Sequence, residues 1–124
     1  MVSTIGADAS GQPYNINADE AARAIAVAMG AEKLVYLTAA PGLLEDVNDE
    51  TSLVRRLSSA ELYERIESAG VTAGMIPKLR ACCEAVDGGV GTAHIIDGRV
   101  PHALLIEVLT DEGIGTMISR EKNW

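Results

Sequence analysis

The sequence contains no phenylalanine, and its aromatic residues are limited to three tyrosines and one tryptophan. A hydrophobic core must therefore be built from aliphatic and small side chains. Apolar residues nevertheless make up 48% of the 124 residues, which is enough to form a core and excludes a disordered chain. The length predicts one domain.

Cysteine is also scarce, with only Cys82 and Cys83, which are adjacent. Adjacent cysteines match neither the spacing of a zinc site nor that of a disulfide framework. The simplest interpretation is a reducing, cytoplasmic compartment.

Positive charge is the third shortage, because 10 lysines and arginines face 18 acidic residues and the net charge is -8. A chain of this charge lacks the dense basic surface that nucleic-acid phosphates require. No apolar run approaches the roughly 20 residues of a membrane-spanning helix. We also find no pattern of a secretory signal at the N-terminus.

Apolar runs of strand type alternate with helical patterns along the chain. The predicted strands are residues 2–6 and 13–16, joined as a hairpin, then 33–38, 53–57, 92–97 and 113–119, the last at a sheet edge. The predicted helices are residues 17–30, 58–68, 74–89 and 101–109, and the polar tail 120–124 is expected to fray. This alternation predicts parallel strands joined by right-handed crossovers, hence an α/β fold with a three-layer αβα sandwich.

The stretch YNINADEAA, at the start of the first helix, holds the first candidate residues. Asn17 and Glu20 have capping-box spacing, and Asp19 suits the positive end of the helix dipole. Capping explains these three residues without a ligand, whereas Asn15 has no local structural role. The pattern leaves open whether the stretch only begins the helix or also lines a site.

Two further stretches could bind an anion. The loop TAAPGLL follows a buried strand, where α/β proteins commonly bind ligands, although an ordinary turn fits equally well. In AGMIPK, Gly74 permits close backbone approach, and Lys78 lies near a helix start. A lysine is unfavourable there unless the helix start faces phosphate; the alternative is a solvated lysine. The sequence contains no Walker-type or GxGxxG motif.

The C-terminal region holds both histidines, His94 and His102, with Asp97, Arg99 and Glu107. A metal site is conceivable, but the spacing matches no standard pattern. Glu107 lies in an otherwise apolar helix, so its carboxylate should face water or pair with a cation.

Taken together, five stretches resemble the C-terminal, nucleotide-binding half of the N-acetyl-L-glutamate kinases, a branch of the amino acid kinase family. They are YNINADEAA, AEKLVYLTAAPGLL, GVTAGMIPKLRAC, AHIIDGR and EVLTDEGIGT, in this order, and the resemblance covers Val2 to Ser119. It implies transfer of a phosphoryl group from ATP to N-acetyl-L-glutamate in arginine biosynthesis, with Mg²⁺ held mainly by the nucleotide. Asn15 and the TDEGIGT end favour this branch over carbamate, glutamate or uridylate kinases.

The resemblance assigns roles residue by residue. It places Asn15 and Asn17 at the substrate, Asn15 on its α-carboxylate. Asp19 would organise the catalytic lysines, and Lys78 would stabilise charge on the transferring phosphoryl group. The implied nucleotide contacts are Thr38, Ala39, Pro41, Gly42, Leu43, Leu44, Gly70, Val71, Thr72, Met75 and Lys78.

The resemblance also implies an arginine effector site at His94, Glu107 and Gly113, where Glu107 would accept a bidentate pair from a guanidinium. Two departures stand out: Ala39 replaces the usual aspartate, and the N-terminal half with its Gly-rich loop and second lysine is absent. We therefore expect one nucleotide-binding domain over 1–124, inactive alone. The alternative is a non-catalytic nucleotide- or arginine-binding module that docks with a separate N-terminal chain or self-associates.

Overall fold

A small hairpin precedes a four-stranded sheet and four helices in the computed structural model, which describes residues 1–68 and 70–122. The strands are β1 Ile5–Ala7, β2 Pro13–Asn15, β3 Lys33–Thr38, β4 Arg56–Ser58, β5 Thr92–Asp97 and β6 Thr116–Ser119. The helices are α1 Ala18–Met29, α2 Ser59–Glu67, α3 Ile76–Asp87 and α4 Ala103–Leu109, with 3-10 turns at Glu50–Ser52 and Ala73–Met75. The predicted frayed tail falls partly outside the described residues, at 123 and 124.

The sheet has the strand order β3-β5-β6-β4. Strands β3 and β5 are parallel, as are β4 and β6, but β5 and β6 are antiparallel. The sheet is thus mixed and mostly parallel, and the prediction that β6 forms an edge was wrong. Strand β6 pairs with β5 on one side and β4 on the other; Thr116 and Ile118 are fully buried, and the Thr116 hydroxyl is hydrogen-bonded internally.

The main core lies on one face of this sheet, under α1, α2 and α3. Strand residues Leu34, Tyr36, Ala93, Ile95 and Ile118 point into it, as the two-residue period of strands requires. The spacing of Met75, Leu79, Cys82, Cys83 and Val86 predicts one apolar helix face. Met75 precedes α3 and is partly buried, and the other four are at most 1% exposed. Helix α4 packs on the opposite face of β5, beside His94. These layers confirm the predicted α/β sandwich.

Local signals set where the helices begin and end. Asn17 caps α1 and Gly30 ends it in the left-handed region at φ 61°. The predicted Asn17–Glu20 capping box was wrong in its second half, because the Glu20 carboxylate pairs with Arg23 instead. The box of Ser58 and Glu61 at the start of α2 is complete. Among the described residues the longest helices have 12 residues, and none is long and apolar enough to cross a membrane.

Candidate functional site

Helices α1 and α3 pack side by side, and their first turns bring two predicted site residues together. The Lys78 Nζ atom lies 2.9 Å from Asp19 Oδ1 and 3.0 Å from Asp19 Oδ2. The two side chains are 21% and 27% exposed, so the ion pair is half-buried but open to a ligand. Lys78 is therefore neither a freely solvated lysine nor unpaired at a helix start; the Asp19 carboxylate offsets its unfavourable position.

Tyr36 on β3 completes this arrangement and was not singled out from the sequence. Its ring centroid lies 5.1 Å from Lys78 Nζ, within cation–π range. Its hydroxyl donates a 2.7 Å hydrogen bond to the Asp19 backbone carbonyl. Burial raises the pKa of Tyr36, so the hydroxyl stays protonated and remains a donor. The available signal was a tyrosine in a buried strand, whose hydroxyl needs a partner.

The two asparagines before α1 differ in what they contact. The Asn17 side-chain oxygen accepts hydrogen bonds from the backbone N–H groups of Asp19 and Glu20, at 3.0 and 3.1 Å. This oxygen is thus engaged in capping. Asn15 is exposed at the end of β2, where it pairs with Ile5, and its role at a substrate stays a prediction.

An apolar slot of about 160 Å³ opens between the loop after β3 and the entry to α3. Its lining residues are Ala40, Gly42, Leu43, Leu44, Val47, Val71, Thr72 and Met75. A neighbouring depression adds Gly70. Thr38, Ala39 and Pro41 lead from the end of β3 to this slot, and Lys78 lies one turn beyond Met75 on α3. The structure therefore gathers most of the predicted nucleotide residues at one place.

The loop that lines the slot is tied to α2 by an ion pair. The Arg65 guanidinium donates to both carboxylate oxygens of Glu45, at 2.9 and 2.6 Å. This bidentate contact holds the pKa of the Glu45 carboxyl below its usual value. The contact thus ties to α2 the part of the loop that includes Val47, a lining residue of the slot.

A second cavity, of about 230 Å³, lies against α4 and contains the three residues predicted as an effector site. His94 Nδ1 lies 2.7 Å from Glu107 Oε1, and His94 Nε2 lies 2.8 Å from Thr92 Oγ1. The other Glu107 oxygen accepts a 2.7 Å bond from the Ile114 backbone N–H. Both side chains of the pair are only 6% exposed. We call this space the Glu107 cavity.

Glycine is required at 113 by both conformation and space. Gly113 has φ 61°, and a Cβ atom there would lie 2.6 Å from Glu107 Oε2. The same cavity is lined by side chains of both charges: Lys33, Arg55, Arg56, Asp111 and Glu112.

The residues considered for a metal site do not form one cluster, although His94 and Glu107 contact each other. His94 uses both ring nitrogens within the protein, whereas His102 is exposed at the start of α4 and Asp97 binds Arg99 in a bidentate pair. Within residues 1–68 and 70–122, no three His, Cys, Asp or Glu side chains are placed to hold a metal ion.

Comparison with known proteins gives consistent results. A family model described as the amino acid kinase family matches residues 1–97. An acetylglutamate kinase from Methanococcus maripaludis is 48% identical over 121 residues, which cover 98% of this chain and 41% of the relative. One from Symbiobacterium thermophilum is 52% identical over 118 residues, covering 95% and 40%. The chain thus spans about two fifths of the length of the curated relatives it matches.

Solved structures share this fold. N-acetylglutamate synthase from Neisseria gonorrhoeae, complexed with coenzyme A and L-arginine, superposes with a TM-score of 0.86 at 31% identity, covering 95% of this chain and 27% of that one. Carbamate kinase from Giardia lamblia, bound to AMP-PNP, gives a TM-score of 0.71 at 18% identity, with coverage of 94% and 41%, and supports the fold alone. Because the family model covers most of the sequence and the structures agree in fold, the chain belongs to the amino acid kinase family.

Proposed function

We propose that this chain is the nucleotide-binding portion of an acetylglutamate kinase, which transfers a phosphoryl group from ATP to N-acetyl-L-glutamate. One observation carries the proposal: the Lys78 ammonium is fixed by both oxygens of Asp19, and Lys78 follows Met75, a lining residue of the apolar slot, by three residues. The similarity to acetylglutamate kinases along nearly the whole chain supports it.

The arrangement suits phosphoryl transfer, which depends on positioning and on neutralising charge. Lys78 would face the phosphates, and Asp19 and Tyr36 would keep its ammonium in one place. The apolar walls of the slot suit a nucleotide base. Both Asp19 oxygens bind Lys78, and Mg²⁺ would be held mainly by the nucleotide.

Turnover should require residues outside this sequence, because the chain covers only about two fifths of its relatives. We expect the 124-residue polypeptide alone to have negligible kinase activity, since the remaining positioning and charge stabilisation are each worth several kcal/mol. ADP formation that depends on acetylglutamate and disappears in Lys78→Ala would overturn this expectation.

Calorimetric titration of Mg-ADP and Mg-ATP into the purified chain tests the nucleotide site. Loss of one charge-assisted contact should weaken binding about tenfold in Lys78→Ala. The matched control is Lys122→Ala, which removes an exposed lysine paired with Glu61 and should leave the affinity unchanged. Absence of binding at millimolar nucleotide would contradict a site formed by this chain.

The Glu107 cavity favours a second candidate function, the binding of L-arginine. This function does not depend on whether the chain takes part in phosphoryl transfer. The synthase structure of similar fold was solved with L-arginine. In this chain each Glu107 oxygen accepts one protein hydrogen bond, and a carboxylate oxygen can accept a second. A guanidinium donor fork fits such a carboxylate better than an ammonium does.

Titration with L-arginine, L-lysine and L-citrulline separates these chemistries. We expect arginine to bind and the other two to bind at least tenfold more weakly, because neither presents a charged donor fork. Glu107→Gln should abolish binding, and Glu64→Gln, an exposed change on α2, should not. Equal binding of all three amino acids would remove the effector interpretation.

A further inference from the structure

A threonine on the interior strand β6 holds the loop that lines the apolar slot. Thr116 is fully buried. Its hydroxyl oxygen accepts a 2.9 Å hydrogen bond from the Leu43 backbone N–H, and its O–H group donates a 2.7 Å bond to the Val54 carbonyl. One side chain thus links Leu43 and Val54, which lie near the two ends of the long loop between β3 and β4.

The segments joined by Thr116 also pair with each other. The Val54 N–H donates a 2.8 Å bond to the Leu43 carbonyl, and Leu44 forms an isolated antiparallel bridge with Leu53. The loop is therefore closed at its base, next to Thr116, while residues 45–50 remain exposed.

Gly42 shows how closely the loop approaches the threonine. Its φ is 148°, and a Cβ atom there would lie 2.7 Å from the Thr116 hydroxyl oxygen and 2.8 Å from Leu53 Cδ1. Only a residue without a side chain leaves room for the loop to reach this hydroxyl. Gly42 and Leu43 themselves line the slot, so the contact fixes part of its wall.

We propose that Thr116 is a positioning residue for nucleotide binding: its hydroxyl fixes the backbone at 42–44 and so shapes the wall of the slot. The inference rests on the proposed nucleotide function, and Thr116 itself would not touch the ligand. Loops are usually more mobile than the elements they connect, whereas β6 is paired on both sides by β5 and β4. The two hydrogen bonds of Thr116 therefore restrain the base of the loop relative to the sheet.

The chemistry of the residue supports this role. A buried hydroxyl is unfavourable unless it is hydrogen-bonded, and valine would fill the same volume without that requirement. Here the hydroxyl forms two bonds, both to the loop base and neither to its own strand. Packing alone does not account for this pattern.

Thr116→Val tests the proposal because it keeps the shape and removes both bonds, while Thr116→Ser keeps the hydroxyl. In Thr116→Val we expect amide exchange at Leu43, followed by NMR, to become at least about tenfold faster, and the Kd for Mg-ADP to rise about tenfold. In Thr116→Ser, the Leu43 exchange rate and the Kd for Mg-ADP should both stay within about threefold of the values for the parent chain. Ile118→Val, two residues along and equally buried, is the control for lost packing.

The outcomes separate the positioning role from simple destabilisation. Unchanged Leu43 exchange and unchanged affinity in Thr116→Val would overturn the proposal. So would equal losses in Ile118→Val, because the effect would then follow stability alone. If the parent chain binds no nucleotide, the proposed function fails, and Leu43 exchange still decides whether Thr116 holds the loop. Should Thr116→Val not fold, Gly42→Ala replaces it, with the same expected changes at Leu43.

Discussion

At the scale of single residues, the candidate site depends on a lysine in an unfavourable position. Lys78 lies in the first turn of α3, where the helix dipole opposes a cation, and Asp19 compensates from the first turn of α1. Because the ion pair is about a quarter exposed, the ammonium is held in position and is still accessible to an anion. Under the proposed function, one lysine thus contributes to stability and to ligand binding together.

We expect the Lys78–Asp19 pair to contribute about 1 kcal/mol to the free energy of unfolding, the upper range for a pair that is not fully buried. A double-mutant cycle with Lys78→Met and Asp19→Asn, followed by urea unfolding at neutral pH, measures this coupling. The more exposed pair Lys122–Glu61 provides the control cycle, with a coupling of about 0.5 kcal/mol or less. Equal coupling in both pairs would mean that Lys78 and Asp19 do not form a preorganised unit.

The buried thiols predict instability at alkaline pH. Burial raises the pKa of Cys83 to about 12 from its ordinary value of 9.0, and it raises that of Cys82 as well. Between pH 9.0 and about pH 12 the Cys83 thiol is deprotonated in the unfolded chain and stays protonated in the folded chain. The thiol contribution is therefore complete below pH 9 and is lost as the pH rises, by about 1 kcal/mol per pH unit.

Unfolding by urea at pH 8, 9 and 10 measures this slope. Tyr36 and Tyr63 also have raised pKa values, so the relevant quantity is the difference between the parent chain and Cys83→Ala. Cys83→Ala should be less stable at pH 8, because it leaves a cavity, but its stability should fall less steeply. Parallel slopes would show that the Cys83 thiolate forms in the folded protein.

At the scale of elements, we expect the two asparagines that precede α1 to differ in their contribution to stability, although both were candidates in the same sequence stretch. Asn17→Ala should lower the free energy of unfolding by about 1 kcal/mol, because it removes the acceptor of two backbone N–H groups. Asn17→Asp keeps that acceptor and should retain stability. Asn15→Ala, at an exposed position, should change stability by about 0.5 kcal/mol or less. Thermal and urea unfolding of the three variants compare them directly; a large loss in Asn15→Ala would contradict this division.

The elements themselves could largely be predicted from the sequence, because caps and apolar periodicity are local. Ser58 and Glu61 predicted the start of α2, and the apolar face of α3 is buried as its spacing required. The position of β6 could not be predicted in this way. Its place between β5 and β4 depends on backbone pairing with two strands that are distant in sequence, which leaves no signal in the strand's own residues.

At the scale of the whole molecule, some residues of the candidate site could be predicted from the sequence and others could not. Lys78, Asp19 and the slot residues could be selected from motifs, but Tyr36 and Thr116 act on them from other strands. Such contacts between distant positions follow from the strand order β3-β5-β6-β4. A positioning residue is therefore harder to find from sequence than the residue it positions.

The surface of α4 predicts self-association. Ala103 and Glu107 face inward, whereas Leu104, Leu105, Val108 and Leu109 are 47 to 76% exposed. Positions four apart share one helix face, so these side chains form two adjacent apolar ridges, and contiguous apolar surface tends to be covered. A net charge of -8 opposes the approach of two copies, and salt screens this repulsion.

Sedimentation velocity over a range of concentrations should therefore show reversible association that strengthens with salt, which an association driven by ion pairs would not do. The double variant Leu105→Glu with Leu109→Glu should be monomeric under the same conditions. The double variant Ile25→Glu with Met29→Glu, which adds the same two negative charges at exposed apolar residues on α1, controls for charge and should still associate. A parent chain that stays monomeric at high salt and high concentration would show that the α4 face alone does not drive self-association.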